Sequence, residues 1–257
     1  MSGRSSAGRL SPRTADRFAG RTVVVAGATG AIGGAVARLL AAEGASLVLL
    51  GRDDARLRAT AAELAAGAGE IRTVAGDLTE AAAIEAAEAE TESLSGGVDL
   101  LVHAAGAFRA GPFETAPARD LHYLFAVNVH APYLLTRRLL PGLRRCRGLV
   151  VFVNSTAGLS AAAGSAAYAV SKHALRALAD ALRAEVNADG VRVLSVYPGR
   201  TRSRMQEEVC RSLGQRYDAE RFLDPGDVAA AIVEAAALPP AAEMVDLRLR
   251  PAAKPRL

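Results

Sequence analysis

In Tyr168-Ala-Val-Ser-Lys172 a phenol and an amine stand four residues apart, which on a helix puts both on one face, one turn from each other. An ammonium beside a phenol favours the phenolate and draws the tyrosine pKa down from about 10. A tyrosine tuned in this way can give a proton to a carbonyl oxygen, or take one from an alcohol, near neutral pH. Ser155, at the end of a β-branched run, can donate a hydrogen bond to that same oxygen. Tyr-x-x-x-Lys recurs by chance in many helices, but Lys172 is one of only two lysines among 31 basic residues, the other being Lys254. His103 reads as a packed histidine, and His122, His130 and His173 lack ligand spacing, so no metal site is expected.

Groups of this kind need a scaffold, and the chain alternates two signals from residue 21 onward. Short β-branched runs at 22–26, 46–50, 71–75, 99–103, 149–154, 191–197 and 245–249 predict strands. Between them, Ala/Leu/Glu/Arg-rich stretches at 33–43, 53–66, 80–94, 119–140, 166–187 and 227–237 have helical spacing. Strands that read as continuous apolar runs and are separated by helices imply a parallel sheet covered on both faces. The expected fold is α/β: a Rossmann-like, doubly wound parallel sheet of about seven strands in three layers, forming one domain over residues 21–250. Residues 1–20, rich in Ser, Arg, Gly and Pro, read as a disordered leader with some likeness to a transit peptide, and 251–257 as a tail.

In such a sheet ligands bind beyond the carboxyl ends of the strands, so the residues that follow each strand matter most. The first run leads into Ala26-Gly27-Ala28-Thr29-Gly30-Ala31-Ile32-Gly33, small residues that let backbone approach a pyrophosphate at a helix N-terminus, or that simply pack tightly. The second ends in Gly51-Arg52-Asp53. An acidic strand end would accept from a ribose diol, whereas Arg52 is a bidentate phosphate donor, so NADP(H) is favoured over NAD(H). Arg52 could instead be a solvated loop charge, with Asp53 capping the next helix. After the third run, in Gly76-Asp77-Leu78-Thr79, Asp77 could accept from an adenine amino group or cap the helix that follows. The small Ala104, Ala105 and Gly106 after His103 would let backbone lie against a ribose, and Pro198-Gly199 ends the sixth run.

Composition excludes several other classes. The chain of 257 residues is 51% hydrophobic and 23% charged, too apolar for global disorder. No run reaches the roughly 18 apolar residues of a membrane span. The net charge of +4 is accounted for by residues 1–21, where five arginines meet one aspartate, so the rest is balanced and nucleic acid is not an expected partner. Two cysteines, Cys146 and Cys210, make no disulfide framework and fit a reducing, cytoplasmic setting.

Taken in order, these segments resemble the short-chain dehydrogenase/reductase family over residues 21–250, in its single-domain branch. The resemblance adds Asn128, in Val127-Asn128-Val129, which on sequence physics alone is an unremarkable polar residue inside a helix. It implies that Tyr168 is the acid/base, that Lys172 lowers its pKa and holds the nicotinamide ribose, that Ser155 orients the substrate carbonyl, and that Asn128 positions a relay water. It also implies a cofactor site made of Gly27, Thr29, Gly30, Ala31, Ile32, Arg52, Asp77, Leu78, Ala104, Ala105, Gly106, Tyr168, Lys172, Pro198, Gly199, Thr201 and Ser203. Ser155 and Tyr168 would bind substrate, a small-molecule carbonyl or alcohol, beneath a lid at about 203–222. A homotetramer or homodimer would form through helices 119–140 and 166–187. His103 and Ala104 depart from the family's two asparagines, which removes side-chain bonds that brace the sheet. A non-catalytic NADP(H)-binding regulatory protein is the other reading; such proteins commonly lack the tyrosine or the lysine, and both are present.

Overall fold

The computed structural model of the chain describes residues 16–212 and 214–252. Seven strands, β1 (Thr22–Ala26), β2 (Ser46–Gly51), β3 (Ile71–Ala75), β4 (Leu100–His103), β5 (Leu149–Val153), β6 (Arg192–Pro198) and β7 (Asp246–Leu249), form one sheet in the order β3-β2-β1-β4-β5-β6-β7. Every pairing is parallel. The chain winds outward from β1 to β3, then returns to place β4 on the other side of β1, so the crevice opens beyond Ala26 and His103, which are register partners.

The helices are α1 (Ala31–Ala41), α2 (Asp54–Leu64), α3 (Ala81–Leu94), α4 (Ala118–Phe125), α5 (Ala131–Cys146), α6 (Ala166–Val186), α7 (Arg204–Ser212) and α8 (Pro225–Ala236). Alternate strand residues divide the core. Val23, Val25, Leu49 and Val151 pack with Val36 and Leu40 of α1 and Ile232 of α8. Val24, Val48, Leu101 and Phe152 pack with Leu135 and Leu139 of α5 and Leu175 of α6. Strands β1, β4 and β5 are buried at every position, which is why they read as unbroken apolar runs. Each such side chain contributes about 1.5–3 kcal/mol of burial, so the crevice stands on a rigid floor.

Two expectations need correction. Residues 16–20 do not belong to a disordered leader: Phe18 is buried, and Arg17 bonds both Glu43, at the end of α1, and Glu234 of α8. The polar composition around Phe18 hid one apolar anchor. Residues 1–15 and 253–257, the remainder of the expected leader and most of the tail, lie outside the described residues. Helix α5 runs through Pro141 to Cys146 rather than ending at Leu140, because continuing it buries Leu143 completely. α7 is a helix that the periodicity did not mark.

His103 is a packed histidine, and it restores a brace that its departure from asparagine was expected to remove. Its Nε2 lies 2.8 Å from Thr136 Oγ1 of α5, and its ring stacks on Phe152 at 5.0 Å. Burial holds its pKa down at about 3, against an ordinary 6.5. Between these values the unfolded chain binds a proton that the native state refuses, so stability falls as pH drops from 6.5 towards 3. At pH 4.5 that amounts to about 3 kcal/mol. Denaturant titrations of wild type and His103→Asn at pH 7 and pH 4.5 should show the wild type losing about that much more; parallel losses would refute the assignment.

Candidate active site

The crevice is a cleft of about 880 Å³ running across the carboxyl ends of β1 to β6. Its first wall is the turn from β1 into α1. Gly27 has φ +85°, and a Cβ there would meet the Ala105 backbone nitrogen at 2.5 Å; one on Gly33 would meet the Gly27 oxygen at 2.3 Å. The two strand-end loops therefore touch only because these positions lack a side chain. Gly30 caps α1 without any side-chain hydrogen bond, and the first turn has no acidic residue. Its open N–H groups and partial positive charge face the cleft, a fit for a pyrophosphate. Thr29, Gly30, Ala31 and Ile32 all line it.

At the same end, Arg52 lines the cleft, exposed and without an ion pair among the described residues. Asp53 caps α2 by accepting from the Arg56 N–H at 3.1 Å. Asp77 Oδ1 accepts from both the backbone N–H and the hydroxyl of Thr79, which holds its carboxyl below the usual carboxylate range. The other carboxylate oxygen remains for a ligand, so the local turn and a ligand contact are compatible. Arg56 was not foreseen. One turn into α2, it lines the cleft and donates to the Thr29 carbonyl at 2.8 Å, adding a second guanidinium beside Arg52.

The middle of the cleft holds Ser155, Tyr168 and Lys172, together with Ala104, Ala105, Gly106, Pro198, Gly199, Thr201 and Ser203. Ser155 follows β5 and accepts from Ala157 N–H at 3.1 Å, which fixes its hydroxyl oxygen. Asn154 accepts from the Ser155 N–H at 2.9 Å and donates to the Lys172 carbonyl at 3.0 Å, locking the β5 tip to α6. Tyr168 is half-buried with its ring edge-on to Phe108, centroids 4.8 Å apart. Lys172 is 4% exposed, and its Nζ donates to the Val153 carbonyl at 3.3 Å and lies 5.9 Å from the Tyr168 ring centre.

The electrostatics differ from the sequence expectation. Burial pushes the Tyr168 phenol above its ordinary value, with a hydrogen bond from Ser155 pulling the other way, and burial draws Lys172 down to about 8. The serine, rather than the lysine, is the neighbour that favours the phenolate in this arrangement. The Lys172 amine stands one helical turn from Tyr168, 5.9 Å from the centre of its ring.

Asn128 lies outside the cleft lining, fully buried, and its side chain is entirely committed. It exchanges two hydrogen bonds with the backbone of Ala107, and its second N–H goes to Ser171 Oγ, which in turn donates to the Tyr168 carbonyl. It thereby fastens the loop after β4, and Phe108 with it, to the helix of Tyr168. Between α4 and α5 the chain makes a π-helical turn, Ala126–His130, with the Ala131 N–H reaching back to Ala126. In α-helical register the donor to the Asn128 carbonyl would be residue 132, which is proline and has no N–H. That carbonyl is left without its helical partner, a signal (Asn-x-x-x-Pro) already present in the sequence.

A profile described as short chain dehydrogenase matches residues 21–213, three-quarters of the chain. The chain belongs to the short chain dehydrogenase family. Among curated proteins it is 33% identical over 132 residues to Oxidoreductase UcpA of Salmonella typhimurium, covering 51% of this chain and 50% of that protein. It is 35% identical over 128 residues to an NADPH-dependent 3-dehydrocapnine reductase of Ornithobacterium rhinotracheale, covering 47% of this chain and 45% of that one. These matches span about half the length of the curated relatives. Among solved structures, an alcohol dehydrogenase from Thermococcus sibiricus complexed with 5-hydroxy-NADP superposes with a TM-score of 0.81 at 26% identity, over 92% of this chain and 99% of that one. A metagenomic short-chain oxidoreductase in complex with NADP gives 0.78 at 31% identity, over 93% and 100%.

As a member of this family the chain keeps the ordered set of serine, tyrosine and lysine in one cleft. Among its described residues no group of three or more His, Cys, Asp or Glu could hold a metal ion, and no helix is long and apolar enough to cross a membrane.

Proposed function

We propose that the protein is an NADP(H)-dependent oxidoreductase of the short chain dehydrogenase family, acting on a carbonyl or secondary alcohol. The observation that carries the reading is the convergence of Ser155, Tyr168 and Lys172 on a cleft whose other end presents an uncapped helix N-terminus and two guanidiniums. When bound, the nicotinamide supplies or takes the hydride at the carbonyl carbon. The chain supplies geometry and protons. Gly27, Gly30 and Gly33 admit the pyrophosphate to α1, Arg52 and Arg56 receive the 2′-phosphate, and the Asp77 carboxylate accepts from the adenine. Ser155 Oγ donates to the substrate oxygen, and the Tyr168 hydroxyl gives that oxygen its proton in reduction or takes it in oxidation. Lys172 Nζ holds the ribose hydroxyls, and the Asn128 carbonyl, freed by Pro132, holds the water through which the phenolate is reprotonated. A Cβ on Gly106 would lie 3.3 Å from the Asn128 side-chain Oδ1 and 3.7 Å from Lys172 Nζ, so the loop after β4 passes close to both residues.

The segment 203–222, with α7 and a short turn at Ala219–Arg221, acts as the lid; Leu213 within it lies outside the described residues. Assembly into a dimer or tetramer through α4, α5 and α6 is supported by Leu121, Phe125, Tyr133 and Val170, large apolar side chains left exposed there. A cytoplasmic location is part of the same reading.

The test is consumption of NADPH and of NADH with a panel of ketones. Turnover with NADPH supports the reading; tight binding of NADPH with no consumption by any carbonyl favours the non-catalytic regulator. In the same assay Arg52→Asp should lower the NADPH-over-NADH ratio of kcat/KM about 10–100-fold, the worth of one charge-assisted phosphate contact. An unchanged ratio would remove Arg52 from the phosphate site and leave Arg56 to hold it.

A further inference from the structure

The segment from Arg200 to Arg221 is rich in arginine, and the structure sorts those charges. Arg202 is paired with Asp224 and Arg221 with Asp218. Arg211 and Arg216 do not line the cleft. Arg200 and Arg204 do line it, and neither guanidinium has a hydrogen bond or an ion pair among the described residues. Their backbone is held in place: Thr201 bridges Leu223, the Leu223 N–H donates to the Arg200 carbonyl at 2.9 Å, and Ser203 Oγ caps α7 by accepting from Gln206 N–H at 3.1 Å.

Arg200 and Arg204 are both exposed at the cleft wall, and the same cleft also carries apolar side chains. Phe108, Ala110, Ala162, Ala163, Met205 and Val209 line the same cleft. Its one carboxylate among the described residues is Asp77, after β3, already bonded to Thr79. An unpaired guanidinium beside an apolar wall, with no acid to answer it, is matched by a ligand that brings its own negative charge on an apolar body. Arg52 and Arg56 follow β2, which has three strands between it and β6 in the sheet order, and answer the 2′-phosphate end of the cofactor. Arg202 shares a shallow pocket with Ala31 and Ala35 of α1, so the pyrophosphate is the anion that competes for this loop.

We propose that the substrate is an oxo acid, or the corresponding hydroxy acid: a carbonyl on an apolar skeleton whose carboxylate is received by Arg204, with Arg200 as its neighbour. This rests on the oxidoreductase reading above and specifies its substrate class. Arg204 is the specificity-determining residue, because it heads α7 beside Met205 and so places the carboxylate where the apolar chain ends.

The experiment compares a series of oxo acids, levulinate among them, with their methyl esters, using NADPH and the full chain. The acids should exceed their esters in kcat/KM by about tenfold or more, the value of one guanidinium–carboxylate contact. Arg204→Gln should reduce that ratio towards one through KM for the acid, the double variant with Arg200→Gln should abolish it, and Arg204→Lys should keep part of it. A binding readout accompanies this: in the presence of NADP+, levulinate should raise the thermal midpoint of wild type and not that of Arg204→Gln. Equal efficiency on acid and ester in wild type overturns the inference and leaves the reductase reading standing. So does a rise in KM for NADPH instead of the acid, which would give the guanidinium to the cofactor. No NADPH consumption with any acid, ester or neutral ketone overturns both.

Discussion

Tyr168→Phe should bind NADPH with a dissociation constant within about threefold of wild type while its rate of ketone reduction falls by about a thousandfold or more. The exchange removes one oxygen and leaves the ring. The ring is what packs: Phe108 meets it edge-on at 4.8 Å, and the Lys172 amine lies over it at 5.9 Å. Neither contact uses the hydroxyl, so the fold and the cleft wall survive. The hydroxyl's one neighbour among the described residues is Ser155, and its task in the proposed function is delivery of a proton to the substrate oxygen. Ser155 can still donate a hydrogen bond in the variant but cannot transfer a proton at neutral pH, so the barrier regains the full acid/base contribution. Fluorescence titration with NADPH and steady-state kinetics on one preparation separate the two effects. Activity within tenfold of wild type would mean that another group protonates the substrate.

Most of the scaffold was legible because burial is two-sided. β1, β4 and β5 touch helices on both faces, so nothing polar interrupts them, and each strand expected from the pattern lies within a residue of its place. The serine, tyrosine and lysine were legible for a different reason: lysine and tyrosine are scarce in this alanine-rich chain, and the three fall at a strand tip or on one helix face. What stayed hidden depends on contacts between elements. Arg56 reads as one more charge on a polar helix until the β1–α1 turn is placed beside it. The role of Asn128 needs the absent N–H of Pro132 and the nearness of Ala107, and a periodicity argument sees only a long helix. The direction of the Tyr168 shift was misjudged because sequence gives the spacing of two charges but not how much water each retains.

That last point has a consequence for Lys172, which should destabilise the protein it serves. The side chain is 4% exposed, none of its hydrogen bonds or ion pairs among the described residues involves a carboxylate, and one carbonyl at 3.3 Å answers three N–H donors. Its pKa falls from 10.5 to about 8 as a result. Between pH 8 and 10.5 the unfolded chain keeps a proton that the native state has lost, so stability rises with pH through this window, and below pH 8 the penalty is complete. The difference corresponds to about 3 kcal/mol at neutral pH. Methionine matches the unbranched stem and carries no charge, so Lys172→Met should recover most of that amount, less about 1 kcal/mol for the lost hydrogen bond to Val153. For a domain of this size the expected gain in thermal midpoint is about 4–8 °C, measured at pH 7 without nucleotide. The gain should shrink as pH rises from 8 to 10.5, and, if Lys172 has the role proposed above, reductase activity should be lost with the amine. A variant less stable than wild type, or a gain that does not vary with pH, would show that the ammonium is better accommodated than its surroundings imply. Stability given up at a buried charge, and regained when the charge is removed, is the mark of a residue kept for chemistry rather than for folding.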